Sequence, residues 1–72
     1  MPKLPNLTPK KVLTILEDYG FVIDHITGSH YILYNSNNQK RVTLPFHSRN
    51  LPKGTLLSII KSAGLSKQDL TS

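Results

Sequence analysis

The chain is short and basic, and its 72 residues leave room for one small hydrophobic core but not for two domains. Because the sequence contains no cysteine, disulfides and thiolate metal sites are excluded as sources of stability. Nine Lys or Arg residues against four Asp or Glu give a net charge of +5, which favours a polyanionic partner such as nucleic acid, although many small proteins are basic for solubility alone.

The first predicted element is an amphipathic helix over about residues 8–19. Thr8 can cap the free N–H groups, and Pro9 fits the first helical position because it loses no hydrogen bond there. Gly20 ends the helix, since glycine readily adopts the left-handed conformation that closes many helices. The apolar stripe of the helix consists of Val12, Leu13, Leu16 and Tyr19.

Three β-strands are predicted next. Residues 21–27 are rich in β-branched and aromatic side chains, and Gly28-Ser29 is a hairpin-type turn. A second strand follows over 30–34, and a polar cluster of Asn and Ser then predicts another turn. The third strand covers 40–44 and ends before a proline. These strands form an antiparallel meander.

A loop over 45–52 leads to a second amphipathic helix that begins at Gly54-Thr55. Gly64 is placed to cap its C-terminus, and residues 66–69 resemble a weak N-terminal capping pattern for a last short helical turn. The apolar stripe of this helix consists of Leu56, Ile59, Ile60 and Ala63.

The predicted fold is an α+β sandwich of two layers in the order α–β–β–β–α. The meander has one face that must be covered, and the two helices carry the apolar surfaces that can cover it. Both helices therefore lie on one face, and the other face or its rim stays free for a ligand. We expect one domain over residues 1–72 with a core at about 8–65. The side chains expected to be mostly buried are Leu13, Leu16, Val42, Leu44, Leu56, Ile59 and Ile60.

The sequence lacks the features of an exported or membrane protein. Its start has no apolar segment of a signal peptide, and no apolar run approaches the roughly 18 residues that span a bilayer. We expect a cytoplasmic protein that does not interact with membranes.

Gly28-Ser29-His30 is the most informative motif, because it places an imidazole directly after a tight turn. Glycine lets a phosphate approach the backbone, and histidine, with an unperturbed pKa of about 6.5, can accept or donate a proton at cell pH. Taken alone the triplet is weak evidence, since most histidines beside turns are structural or merely exposed.

An ordered set of four motifs makes the interpretation more specific. The motifs are Asp18-Tyr19-Gly20-Phe21, Gly28-Ser29-His30, Val42-Thr43-Leu44-Pro45-Phe46-His47 and Pro52-Lys53-Gly54-Thr55-Leu56.

With this set and its spacing, the chain resembles the HicA toxins over about Thr8 to Leu65. The resemblance implies a fold similar to a double-stranded-RNA-binding domain, and an mRNA interferase whose catalytic histidine corresponds to His30. It also implies a HicB-like antitoxin protein as partner. Thr27 departs from the family, because many members look basic there, so we expect a weaker phosphate contact at that point.

The chemistry expected of such an enzyme is simple. RNA supplies its own 2′-hydroxyl nucleophile, so a nuclease without a metal needs a base, an acid and positive charge near the phosphate. His30 can be the base or the acid. Strand register decides whether Lys40 or Arg41 supplies the charge. The residues expected to bind RNA are Gly28, Ser29, Lys40, Arg41, His47 and Lys53.

The other histidines are less informative. His47 could be a second acid or base, but a loop histidine more often only hydrogen-bonds backbone. His25 lies between two apolar strand residues, and we assign it no role. The sequence has no H-x-x-x-H motif and no paired carboxylates at helical spacing, so we expect neither a metal nor another cofactor.

Two other functions fit the same composition. A non-catalytic RNA-binding module with a similar fold needs only the basic charge and exposed tyrosines. A protein-interaction adaptor would use the positive surface for an acidic partner and show no salt-dependent affinity for RNA. Cleavage of RNA in EDTA separates the nuclease from both.

Overall fold

The computed structural model describes residues 6–47 and 49–71, so residues 1–5, 48 and 72 of the predicted domain lie outside it. The chain follows the predicted order α–β–β–β–α and adds the short final helix. Its elements are α1 (Pro9–Asp18), β1 (Val22–Thr27), β2 (His30–Asn35), β3 (Lys40–Pro45), α2 (Lys53–Ala63) and α3 (Lys67–Thr71).

The ends of the helices are stabilised as the sequence predicts. The Thr8 hydroxyl accepts a hydrogen bond from the Lys11 N–H at the start of α1. Gly64 caps α2 in the left-handed conformation, with φ +74°. At the start of α3 the Asp69 carboxylate accepts hydrogen bonds from the backbone N–H and the hydroxyl of Ser66. The weak capping pattern at 66–69 is therefore confirmed.

The three strands form an antiparallel sheet in the order β1-β2-β3. Thr27 pairs with His30 across the two-residue turn, in which Gly28 has a φ of +56°. Glycine at the first position of such a turn, with positive φ, is typical of the type II′ hairpin. On the other side of β2, His30 pairs with Pro45 and Asn35 with Lys40.

One face of the sheet packs against the helices. Leu33 of β2 and Val42 and Leu44 of β3 are buried with the apolar stripes of α1 and α2 in a single cluster. This arrangement confirms the predicted two-layer α+β fold. Phe21, directly before β1, is also buried. Six of the side chains expected to be buried are buried: Leu16, Val42, Leu44, Leu56, Ile59 and Ile60.

Leu13 and Tyr19 differ from the prediction. α1 turns Pro9, Val12 and Leu16 toward the core, so Leu13 lies at the margin of the stripe and is only partly buried. Tyr19 is 42% exposed, because the helix has already ended and its hydroxyl donates a hydrogen bond to Asp69. No helix in the described part of the chain is both long and apolar enough to span a membrane.

Candidate functional site

The sheet face that points away from the helices is open to solvent, and we call it the outer face. Alternation along β2 places Leu33 and Asn35 in the core and sends the even-numbered side chains to the other side. The register then brings residues of β1 and β3 beside them. The outer face carries His25, Thr27, His30, Ile32, Tyr34, Arg41 and Thr43.

His30 lies at one end of the outer face, and its side chain is exposed. Its strand neighbours are Thr27 on β1 and Pro45 on β3. The turn before it leaves free space, since a Cβ added at Gly28 would meet nothing within 4 Å. The backbone of the turn is therefore open to solvent next to His30.

The loop after β3 stays close to this turn. The Phe46 N–H donates a hydrogen bond of 2.7 Å to the Ser29 carbonyl, which extends the β2–β3 pairing by one step. The Phe46 ring stacks on Tyr31, with ring centroids 4.2 Å apart. These contacts bring the backbone of His47 to the same end of the sheet as Gly28, Ser29 and His30.

His47 has a local partner of its own. Its Nδ1 accepts a hydrogen bond of 3.1 Å from the Arg49 backbone N–H. This is the backbone contact expected of a structural loop histidine. Because Nδ1 is the acceptor, Nε2 is the ring nitrogen that remains for a ligand.

The N-terminus of α2 also reaches the His30 end of the sheet. A shallow groove of about 430 Å³ runs between the free edge of β3 and α2. Because Lys40 at the start of β3 lies beside Gly64 at the C-terminus of α2, the N-terminus of α2 with Lys53 is directed toward the Pro45 end of β3, where His30 pairs. The groove is lined by Arg41, Thr43, Pro45, Gly54, Thr55, Ser58, Ile59 and Ser62.

The two basic residues of β3 lie in different places. Lys40 pairs with Asn35, five residues along β2 from His30, which is roughly 17 Å at the rise of an extended strand. Its side chain runs beside α2, since a Cβ added at Gly64 would lie 2.7 Å from the Lys40 Cε. Arg41 shares the outer face with His30. Register thus brings Arg41, but not Lys40, onto the face of the candidate catalytic residue.

Arg41 belongs to a polar cluster that the sequence analysis did not identify. Its guanidinium carbon lies 5.0 Å from the centroid of the Tyr34 ring, and its Nη1 donates a hydrogen bond of 3.3 Å to Asp24 Oδ2. The same carboxylate oxygen lies 2.7 Å from His25 Nδ1. The hydrogen bond from His25, followed by that from Arg41, lowers the pKa of Asp24 below its ordinary value.

Within the described ranges, no three side chains of His, Asp or Glu come together as a group that could hold a metal ion. The polar groups near His30 are donors and acceptors of protons and hydrogen bonds. They suit acid–base chemistry on a phosphodiester.

Comparison with known proteins identifies the family. A comparison with curated proteins gave no match. The family model described as the HicA toxin of bacterial toxin-antitoxin systems matches residues 9–65, from the first residue of α1 to the residue after the Gly64 cap. The match includes the Gly28 turn, His30 and the N-terminus of α2. The chain therefore belongs to the HicA toxin family and is the toxin of a toxin-antitoxin system.

Proposed function

We propose that this toxin is an endoribonuclease that cleaves mRNA without a metal cofactor, with His30 as a catalytic acid or base. The observation that carries the proposal is the position of His30. It is exposed beside the open Gly28 turn, on a sheet face that no helix covers, in a chain of a toxin family.

The reaction requires little more than this site offers. The 2′-hydroxyl of the RNA attacks the adjacent phosphorus once a base takes its proton, and the 5′-oxygen leaves once an acid protonates it. Positive charge stabilises the phosphorane between these steps. Backbone at Gly28 and Ser29 lies beside His30, Lys53 adds positive charge at the N-terminus of α2, and Arg41 adds positive charge further along the outer face, where it pairs with Tyr34. His47 and Lys40 extend the proposed RNA-binding surface, Lys40 at its far end.

We further propose that the antitoxin of this system is a HicB-like protein that covers His30. A nuclease acting on cytoplasmic mRNA must be restrained, and occlusion of the open sheet face is the direct way to do so. Acidic residues of the antitoxin would meet Lys40, Arg41 or Lys53 and accelerate association.

The test of the proposed function compares two histidine variants. His30→Ala removes an exposed side chain, so the melting temperature should stay nearly unchanged, whereas the cleavage rate should fall by ~10²–10⁴-fold. RNA binding should survive, because the positive charge remains. Toxicity in growing cells should disappear with cleavage.

His47→Ala is the matched control, since it removes a second exposed histidine at the same end of the sheet. Loss of cleavage in His47→Ala with full activity in His30→Ala would show that His47 is the catalytic histidine. If the folded wild-type protein binds RNA but does not cleave it, the chain is an RNA-binding module instead.

A further inference from the structure

The β-bulge in β1 creates a contact that a regular strand would not allow. Consecutive side chains of a strand point to opposite faces, so Asp24 and His25 should be on different sides of the sheet. The register shifts between Ile23 and His25, which leaves Asp24 as the extra residue. Bulges redirect side chains and are frequent beside active sites. Here the bulge lets Asp24 bond to the imidazole of its neighbour.

The same pairing puts His25 on the face of His30. His25 pairs with Ile32, and His30 lies two residues before Ile32 on β2. The two histidines are therefore diagonal neighbours on the outer face, and such neighbours have Cα atoms roughly 7–8 Å apart. A phosphodiester placed between the two imidazoles can contact one of them with its 2′-oxygen and the other with its 5′-oxygen.

The charged groups around His25 orient it for proton transfer. Asp24 Oδ2 lies 2.7 Å from Nδ1, so Nδ1 donates to the carboxylate and Nε2 is directed to a ligand. From β3, Arg41 donates to the same oxygen at 3.3 Å and holds the carboxylate in place. From β2, His30 and Tyr34 share the face. Asp24 is the carboxylate directly beside His25 on this face.

We infer that His25 is a second catalytic residue, the general acid of the cleavage, and that Asp24 is its positioning residue. This inference rests on the proposed endoribonuclease function. His30 takes the proton of the 2′-hydroxyl, and the 2′-oxygen forms a bond to phosphorus. The bond from phosphorus to the 5′-oxygen breaks as His25 Nε2 gives its proton to that oxygen. The products are a 2′,3′-cyclic phosphate and a 5′-hydroxyl; His30 has gained one proton and His25 has lost one, and exchange with water restores both.

The decisive experiment uses an RNA oligonucleotide that spans a cut site mapped with the wild-type protein, cleaved in EDTA. A second version of this RNA carries sulfur in place of the bridging 5′-oxygen at that site, because a thiolate leaves without protonation. His25→Ala should lower the rate on the ordinary RNA by ~10²–10⁴-fold and recover most of the rate on the sulfur-containing RNA. His30→Ala should stay slow on both. Glu17→Gln, at an exposed residue of α1 on the other side of the sheet, is the control and should cleave both RNAs at the wild-type rates.

The pH profile tests the role of Asp24. The wild-type cleavage rate should follow a bell-shaped pH profile. The acidic limb reports the general base, and the alkaline limb reports the general acid. His25→Ala should lose the alkaline limb, and Asp24→Asn should move that limb with little change in RNA affinity. A merely structural Asp24 would lower stability and leave the profile in place.

Two results overturn the inference and leave the proposed function standing. One is an unchanged rate and pH profile in His25→Ala while His30→Ala is inactive. The other is rescue of His30→Ala, rather than His25→Ala, by the sulfur-containing RNA. If the folded wild-type protein cleaves no RNA at all, the proposed function and this inference fail together.

Discussion

At the scale of single residues, Asn35 is the clearest polar contributor to the fold. Among the residues that the structure describes, Asn35 is the polar residue that is buried with the core, and it is only 2% exposed. Its amide nitrogen donates to the Tyr19 carbonyl at the end of α1, and its Oδ1 accepts the Asn37 N–H in the turn after β2. One side chain therefore joins the end of α1 to the β2–β3 turn.

Asn35→Ala should destabilise the protein by about 1–3 kcal/mol, because two backbone groups at the ends of α1 and β2 lose the side chain that bonds them. Urea denaturation measures this change directly. Ser36→Ala, at an exposed position of the same turn, is the control and should have little effect. Equal stability of the two variants would show that water replaces the amide at no cost.

At the scale of elements, the Asp69 carboxylate joins α3 to the rest of the fold, beside the buried Leu70 of the same helix. Asp69 accepts hydrogen bonds from Ser66 at 2.7 Å and from the Tyr19 hydroxyl at 2.8 Å, so it caps α3 and joins it to the end of α1. The backbone hydrogen bond from Ser66, followed by that from Tyr19, lowers the pKa of Asp69 below its ordinary value of 3.8.

This shift predicts how the stability depends on pH. A carboxylate whose pKa is lower in the folded state stabilises the fold at every pH above its unfolded value, and the effect is lost as pH falls through the folded value. Asp69→Asn should therefore unfold at a lower urea concentration than the wild type at neutral pH, and the difference should shrink as the pH falls below 3.8. Glu17→Gln, at an exposed carboxylate of α1, is the control. A difference that stays constant with pH would refute the ionic contribution.

At the scale of the whole molecule, the net charge of +5 should govern the proposed encounter with RNA. Binding of a polyanion releases its counterions, so affinity should fall steeply as salt rises. Fluorescence anisotropy with a 2′-O-methyl RNA, which cannot be cleaved, measures the affinity of the wild-type protein. Affinity that is the same at low and physiological salt would support the adaptor function instead.

We expect the edge strand β1 to contribute to the surface that binds the antitoxin. Its apolar side chains are exposed on both faces of the strand: Val22 by 61%, Ile23 by 39% and Ile26 by 54%. They lie on the same strand as Thr27, the neighbour of His30. An antitoxin that covers His30 can bury them at the same time.

Ile26→Ser should therefore weaken the antitoxin complex while leaving RNA cleavage by the free toxin unchanged, because Ile26 faces away from the outer face. Titration calorimetry with the antitoxin measures the first effect. Leu57→Ser, at an exposed apolar residue of α2, is the control. Tight binding by Ile26→Ser would place the interface elsewhere.

The sequence predicts most of the fold because its signals are local. Thr8, Pro9, Gly20 and Gly64 mark helix ends by backbone chemistry, and the Gly28 turn fixes the first hairpin. These signals do not depend on distant parts of the chain. The core-facing residues of β3 follow from simple alternation between Lys40 and Pro45.

The site is only partly predictable, since it depends on contacts between strands. The Gly28-Ser29-His30 motif identifies His30 from the sequence. Only the strand register shows that Arg41, and not Lys40, lies on the same sheet face as His30. A bulge leaves no clear sequence signal, so the link from His25 to Asp24 was missed. Adjacent Asp and His in a predicted strand is a weak signal that could have suggested it. Whether the predicted RNA-binding residues bind RNA stays a prediction.

The most direct test of the central claim is the chemistry of the RNA ends produced in EDTA. The wild-type protein should cleave RNA and leave 2′,3′-cyclic phosphate and 5′-hydroxyl termini, because in the proposed mechanism the 2′-hydroxyl is the nucleophile and His30 acts on its proton or on the leaving group. His30→Ala, folded to the same melting temperature, should leave the RNA intact. Intact RNA with the folded wild-type protein, or 3′-hydroxyl ends that form only with added Mg²⁺, would contradict the account.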